Sequence, residues 1–560
     1  MMSIVYGALA ILIFQFALGL YAVTLNYLFY ATFGPFFDSL AYLNELLNMQ
    51  YTAHTKGCLA ALLDASFQST VVLPWLIFAP FSKAVPAIRT NGVLIQLVTL
   101  VPMQFVLFLY FLRARSLPLA QSLVFSSVFC LIAATFCYNG GLSDFRMDFL
   151  QYTLFTTVMA AYLIARQSTG LVWWIVLGIA TGMLCLGRAT SPVYIVPIFA
   201  VLAAADLSAD ARNWRRIAVR WLVVGLTASA LAGWYFVANF DRLYYYYVVW
   251  NPDANARLPL SGSSRHMLFV VSHIGSVLLA VLTAVALAIV ASAIRQFGIP
   301  VLRRLHWRAL VFSVVPIGYL VLSGAGLNQF VSIVGCSGVL MFLLDPIEDE
   351  RPAIGPFTSF GVIALLAIAT GANAATGLVD HSPQKGAPWL PRQDGLRQLI
   401  DRTLAAGRRD GDSRRPYTYT VAHTGWLNNP GIINTLVYDH GFQFIGNRTV
   451  TRDGISLQQV PTVSGVPTAI EWQKSAGSDD DARIQNVIAS YAEHVDFLIV
   501  PTQDSKLPLH VYTTRFIPEL RRRILSSSVW DQVGEPIRIS SEERLLLFTN
   551  RVRSVRADGL

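Results

Sequence analysis

Eleven apolar runs, nearly free of charge, fill the first two thirds of the sequence. They lie at about 5–28, 92–112, 118–137, 150–165, 170–186, 192–206, 217–239, 267–294, 309–325, 329–344 and 353–378. Runs approaching roughly 20 apolar residues match the hydrocarbon core of a bilayer, so each is expected to span it as a helix. Charge placement agrees. Asp380 to Leu560 carry 22 basic and 20 acidic residues, whereas the 379 residues before them carry 20 and 13. A soluble chain is about 25% charged; this one is 13% charged and 54% apolar. The expected fold is a mostly α, polytopic transmembrane helical bundle of about eleven spans, residues 1–379, followed by a soluble α/β domain, residues 380–560.

Arginine placement sets the orientation. Lys and Arg collect in cytoplasmic loops, so Arg113 and Arg115, the cluster Arg212, Arg215, Arg216 and Arg220, and the cluster Arg295, Arg303, Arg304 and Arg308 should share the cytoplasmic side. The segment 67–81 is too short to span and is interrupted by Pro74. Lying in the interface, it leaves all three clusters inside; counted as a span, it puts all three outside. The expectation is therefore a cytoplasmic N-terminus and an extracytoplasmic C-terminal domain, with far-side loops at 29–91, 138–149 and 240–266. In the first of these, 39–50 and 57–66 read as short helices lying along the membrane. Residues 4–30 lack a basic leader and a small-residue cleavage site, and read as a retained helix of an integral inner or plasma membrane protein.

The net charge of +9 resides mainly in the membrane part, where it sets topology, so no nucleic-acid partner is expected. All five cysteines precede residue 380 with no CxxC spacing, so the soluble domain needs neither disulfide nor zinc. That domain alternates strand-like runs (417–422, 442–446, 496–501, 544–549) with helical stretches near 429–437, 483–494 and 516–527. It carries no GxGxxG, P-loop or nucleophile elbow, so it is expected to be non-catalytic and to cover the membrane site or select the acceptor. Asp479-Asp480-Asp481 reads as a solvated turn, and Asn447-Arg448-Thr449 fits a glycosylation sequon.

Polar residues at span ends attract attention because burying charge in a bilayer is costly. Asp38 follows the first span directly, beside Phe36 and Phe37. A carboxylate held against aromatic rings there is poorly solvated, which raises its pKa and suits it to accept a proton. The structural alternative is that Asp38 or Ser39 caps the following helix. In the second loop Asp144 and Asp148 flank Arg146; four residues apart, the two carboxylates suit one helix face. They read as a local ion pair with a cap, or as a polar site in which Arg takes a phosphate and Asp a hydroxyl or a metal. Arg188, in Gly187-Arg188-Ala189-Thr190-Ser191-Pro192, either snorkels to the interface or reaches a phosphate. The third loop offers Asp241, Arg242 and the tyrosines Tyr244 to Tyr247, which suit an interfacial belt or sugar stacking. His54 and His273 are isolated and are not assigned to a metal.

This pattern resembles the GT-C superfamily of polytopic glycosyltransferases, which includes protein O-mannosyltransferases and lipid A aminoarabinose transferases. Asp38 falls where that family has an Asp just after the first span, and Tyr42 fits the aromatic that often follows. Gly140 to Phe149 is similar to the acidic second loop of the mannosyltransferase-like branch, and Gly187-Arg188-Ala189-Thr190 to its Arg turn. The chain departs in placing Ser39 where the family has Glu, and in lacking a Lys/His-Pro-Pro signature before residue 74. Donor sugar and acceptor stay open.

The resemblance implies transfer of a sugar from a polyprenyl-phosphate donor to a lipid, glycan or protein hydroxyl on the extracytoplasmic face. It implies Asp38 as the base, with Arg146 and Arg188 on the leaving phosphate. Asp144 and Asp148 would orient the acceptor or Arg146, or hold a divalent magnesium or manganese ion. Tyr42, Glu45, Arg242 and Tyr244 would contact substrate. The competing class is a secondary transporter or flippase, which should show two pseudo-symmetric halves and mid-span charges; these spans have few central ionisable residues. A scaffold or sensor is a third class with nothing specific in its favour.

Overall fold

The computed structural model describes residues 2–32, 37–65, 72–78, 89–136, 148–244, 305–323, 393–409, 416–421, 440–446, 448–459, 480–503, 517–539 and 544–553, with scattered positions between them. The expected spans 267–294, 329–344 and 353–378 fall mostly outside these residues. The helices of the apolar part are α1 (Met2–Thr32), α2 (Phe37–Lys56), α3 (Cys58–Ala65), α4 (Val72–Phe78), α5 (Arg89–Ala114) and α6 (Leu119–Phe136). They continue as α7 (Asp148–Gln167), α8 (Val172–Gly187), α9 (Ser191–Ala209), α10 (Trp214–Ala238), α11 (Phe240–Tyr244) and α12 (Trp307–Ser323). The protein is mostly helical with a C-terminal mixed domain. Among the described residues three helical stretches are long and apolar enough to cross a membrane, Val93–Ala114, Ser191–Ala209 and Ala211–Ala238.

The chain forms two compact units. The first comprises Met1–Asn26, Leu62–Phe81 and Arg89–Val379; the second joins Tyr27–Ala61 and Ser82–Ile88 to Asp380–Leu560. At the centre of the first lies α7, buried on every side from Phe149 to Ala165, as a helix apolar all round must be. Lipid is as apolar as a leucine side chain, so helices in a bilayer associate by close packing and buried polar contacts. Both occur here. Gln104 Nε2 of α5 donates to Thr156 Oγ1 of α7 at 2.6 Å. Gly178 and Gly182 of α8 let α10 approach: a Cβ at Gly178 would stand 2.6 Å from Thr227 Cβ, and one at Gly182 2.9 Å from Leu231 Cβ. Successive glycines meet successive turns of α10, so α8 and α10 run parallel. Large apolar side chains such as Phe16 and Val237 face outward, as a lipid-facing surface requires.

The short links 168–171, 188–190 and 210–213 make α7 to α10 an up-and-down meander with two unlike ends. One end gathers Arg166, Asp206, Arg216, Arg220 and Arg308. Asp206 Oδ1 lies 3.5 Å from Arg308 Nε and 3.7 Å from Arg166 Nε. Arg216 and Arg220 donate to the carbonyls of Thr169 and Ser168 just beyond α7, where the helix dipole favours cations. The opposite end holds the start of α7, the α8–α9 turn and α11.

In the second unit the C-terminal elements are α13 (Gln393–Arg409), β1 (Tyr417–Val421), β2 (Gln443–Phe444), β3 (Thr449–Arg452), β4 (Ile455–Gln459), α14 (Asp480–His494) and β5 (Phe497–Pro501). They end with α15 (Ile517–Leu525), β6 (Trp530–Gln532), β7 (Ile537–Arg538) and β8 (Arg544–Asn550). The sheet order is β2-β3-β4-β1-β5-β8-β6, with β7 also on β8. β4, β1 and β5 are parallel and the other pairs antiparallel. Strand β5 is buried on both faces: Phe497 and Ile499 pack with α13, Leu498 and Val500 with α14 and α15. Asp496 Oδ2 accepts from the Thr418 backbone N–H at 2.7 Å and its hydroxyl at 2.8 Å, tying β1 to β5.

One expectation changes: Asp480 and Asp481 lie in α14 rather than in a turn. Asp38 and Ser39 lie within α2, which buries Leu43, Leu46 and Met49.

The exposed face of α15 yields a pH prediction. Glu519 bonds Arg522 and Arg523, and these hydrogen bonds lower its carboxyl from 4.5 to about 2. A depressed carboxylate stabilises above its unfolded pKa and loses that contribution as pH falls through the folded one. Amide exchange in 517–525 should therefore accelerate between about pH 4.5 and 2 in the wild type. Glu519→Gln should flatten that step. A pH-independent wild type excludes the ion pairs from α15 stability.

Candidate active site

The best-defined part of the candidate site is the turn bearing Arg188. Arg188 ends α8 in extended conformation, its N–H donating to Leu184 O at 3.2 Å, while its carbonyl accepts from the Ser191 N–H at 3.0 Å. Pro192 then starts α9, where a missing N–H costs nothing. Beneath the turn is a buried polar network. Gln151 Nε2 of α7 donates to Ser191 Oγ at 2.8 Å, Ser191 Oγ donates to Leu184 O at 3.0 Å, and the Tyr194 hydroxyl donates to Ser191 Oγ at 3.3 Å. Gly187 fits tightly: a Cβ there would lie 3.1 Å from Leu154 Cδ1 and 3.3 Å from Leu73 Cδ2. Arg188 is thus carried on a turn locked to α4 and α7.

Gln151 lies one helical turn from Asp148, the first residue of α7. The structure therefore brings Asp148 and Arg188 to the same end of the first unit. Asp144 and Arg146 lie outside the described residues, as do the side chains of Asp148, Asp38 and Arg242. Because α10 runs parallel to α8, the helix α11 that follows it belongs to that end too, with Arg242 and Tyr244 upon it. Tyr244 is exposed and stacks on Phe240, ring centroids 6.1 Å apart, which suits an interfacial belt or a sugar face. A guanidinium on a rigid turn at a bundle end can bind a phosphate carried at bilayer depth.

Asp38, Tyr42 and Glu45 belong to the second unit, on α2. At 100° per residue their positions form one stripe of the helix. Among the described residues no three His, Cys, Asp or Glu gather to hold a metal. Asp144 lies beyond them, so the magnesium or manganese ion stays an expectation of the sequence and no step is assigned to it.

Sequence reasoning missed Gln151, Ser191 and Tyr194. Their one signal is polarity within otherwise apolar runs. The partners, 40 residues apart for Gln151 and Ser191, are visible only once the helices pack.

No known protein family and no curated protein matches the sequence. Solved structures do. The crystal structure of ArnT from Cupriavidus metallidurans in the apo state superposes with a TM-score of 0.54 at 10% identity, covering 96% of this chain and 98% of that one. The same protein bound to undecaprenyl phosphate gives 0.52 at 9% identity, covering 96% and 97%. Across nearly its whole length, C-terminal domain included, the chain shares the fold of these two ArnT structures.

Proposed function

We propose that the protein is a membrane glycosyltransferase that moves a sugar from a polyprenyl-phosphate donor to a hydroxyl of a lipid, glycan or protein. The observation that carries this reading is the full-length fold likeness to ArnT, seen also in its undecaprenyl-phosphate complex. The end of the first unit bearing Arg188 and Asp148 suits such a donor, whose phosphate stays at the membrane surface while its tail lies in lipid. In the reaction the acceptor oxygen attacks the anomeric carbon and gives its proton to Asp38. The bond from that carbon to the phosphate oxygen breaks with inversion. Polyprenyl phosphate leaves with the electron pair, its charge met by Arg146 and Arg188. Asp144 and Asp148 orient the acceptor or Arg146, and Tyr42, Glu45, Arg242 and Tyr244 contact the sugars.

The topology proposed with it has eleven spans, a cytoplasmic N-terminus and the site and C-terminal domain on the extracytoplasmic face. One observation supports it: the arginines Arg166, Arg216, Arg220 and Arg308 gather at one bundle end, opposite Arg188. A compartment-specific reporter fused after Leu560 should be active outside the cytoplasm; cytoplasmic activity reverses the orientation.

Donor recognition is tested by binding undecaprenyl phosphate, with the phosphate-free alcohol as control. Loss of a charge-assisted contact worth roughly 1.5–3 kcal/mol should make Arg188→Ala and Arg146→Ala each bind about 10- to 150-fold more weakly. Equal binding of phosphate and alcohol by the wild type rejects this donor class. Normal phosphate binding by both variants rejects the two arginines.

A further inference from the structure

Helix α2 carries Asp38, yet its compact unit is that of the C-terminal domain. The two meet at Tyr51. Its ring stands edge-on to Phe444 of β2, centroids 6.4 Å apart and planes at 77°, a favoured aromatic geometry. The same ring covers the backbone of Gly446, where a Cβ would come within 2.4 Å of Tyr51 Cε1 and 2.7 Å of Cδ1. Gly446 has φ +87°, a conformation that favours glycine. Two conditions, backbone hand and bare surface, therefore require glycine at one position.

The platform beneath the ring is stiff. Ile445 N–H donates to Thr449 O, and Thr449 N–H to Gly446 O, each at 2.9 Å, closing the turn between β2 and β3. β3 pairs with β4 through the Asp453-Gly454 turn, and β4 pairs with the central strand β1. The contact point is thus anchored to the middle of the sheet. Helix α2 is unbroken from Phe37 to Lys56, so fixing it at Tyr51 fixes position 38, roughly 20 Å along the axis at 1.5 Å per residue. Thirteen residues at 100° each place Tyr51 about 140° around the helix from the stripe of Asp38, Tyr42 and Glu45. Docking through one flank leaves the other flank to the reaction.

We propose that Tyr51, seated on Gly446 and Phe444, is a positioning residue through which the C-terminal domain sets where the Asp38 helix stands. This rests on the transfer reaction proposed above and gives the C-terminal domain a role in it that needs no catalytic group of its own. A displacement near 1 Å can cost as much as 10²-fold in rate. Tyr51→Ala should therefore lower kcat by about 10- to 100-fold while undecaprenyl phosphate binding changes less than about twofold. Tyr51→Phe keeps the ring and should restore kcat.

Amide exchange in the full-length protein provides a readout independent of activity. Residues 42–54 should lose protection in Tyr51→Ala, while β5 and β8 keep theirs and report that the domain is folded. Gly446→Ala should loosen the same helix, and adding Tyr51→Ala to it should cost less than the two changes summed. Tyr51→Ala with wild-type kcat and unchanged exchange overturns the proposal, as does loss of kcat with no change in 42–54. If the wild type transfers no sugar, the reaction fails; exchange coupling between Tyr51 and Gly446 then still upholds the anchoring, and its absence removes that too.

Discussion

Asp38→Asn should lower sugar transfer by about 10²- to 10⁴-fold, the usual contribution of a positioned general base, with donor binding and folding preserved. The size of that drop separates the base from its structural alternative. That alternative is a cap on α2, for which Asn serves about as well as Asp. The exchange to Asn then leaves both stability and the turnover of folded protein nearly untouched. Single-turnover transfer on donor-saturated enzyme, compared with thermal unfolding of the same samples, reads the two effects separately. Near-normal turnover by Asp38→Asn removes Asp38 from the chemistry and moves the assignment to Asp144 or Asp148. Folded but inactive Asp38→Asn, together with Asp38→Ala of equal inactivity, upholds it.

What could be read from the sequence follows from the range of each interaction. Helices α5 to α10 were legible because each is a nearly unbroken apolar run between charged or glycine-containing links. Strand β5 was legible for a similar reason: Phe-Leu-Ile-Val is buried on both faces and needs no alternation. Hairpin β3–β4 was not foreseen, since Thr449–Arg452 and Ile455–Gln459 mix polar and apolar residues. Its turn pair Asp453-Gly454 was the available signal. Helix α13 was likewise passed over beside a charged stretch, though Leu396, Leu399 and Ile400 pack into the core with helical spacing. In the candidate site, the Arg188 turn announced itself by Gly187, Pro192 and a lone charge between spans. Gln151 and Ser191 did not, because one amide and one hydroxyl in apolar helices acquire meaning only from each other. The seat of Tyr51 on Gly446 was less visible still, joining residues almost 400 positions apart.

The glycine pair of α8 should prove the most sensitive part of the membrane unit. A Cβ at Gly178 would fall 2.6 Å from Thr227 Cβ and 3.0 Å from Val224 O; one at Gly182 would fall 2.9 Å from Leu231 Cβ and 3.2 Å from Ala228 O. The obstacles are β-carbons and backbone, which cannot swing aside, so the two helices must separate along their whole contact. Overpacking of this kind costs typically 1–3 kcal/mol per site, against which alanine's better helix propensity returns about 1 kcal/mol. With no hydrophobic drive between helices in lipid to restore the interface, Gly178→Ala with Gly182→Ala should lower the thermal midpoint of the detergent-solubilised protein and weaken protection across α8 and α10. Gly225 of α10 supplies the control, because nothing lies within 4 Å of a Cβ there. Gly225→Ala should leave the midpoint unchanged or raise it slightly. Equal behaviour of the double variant and the control would mean that α8 and α10 are not held by this contact. The Arg188 turn should feel the change as well, since it caps α8 itself, and undecaprenyl phosphate binding should weaken in the double variant but not in Gly225→Ala.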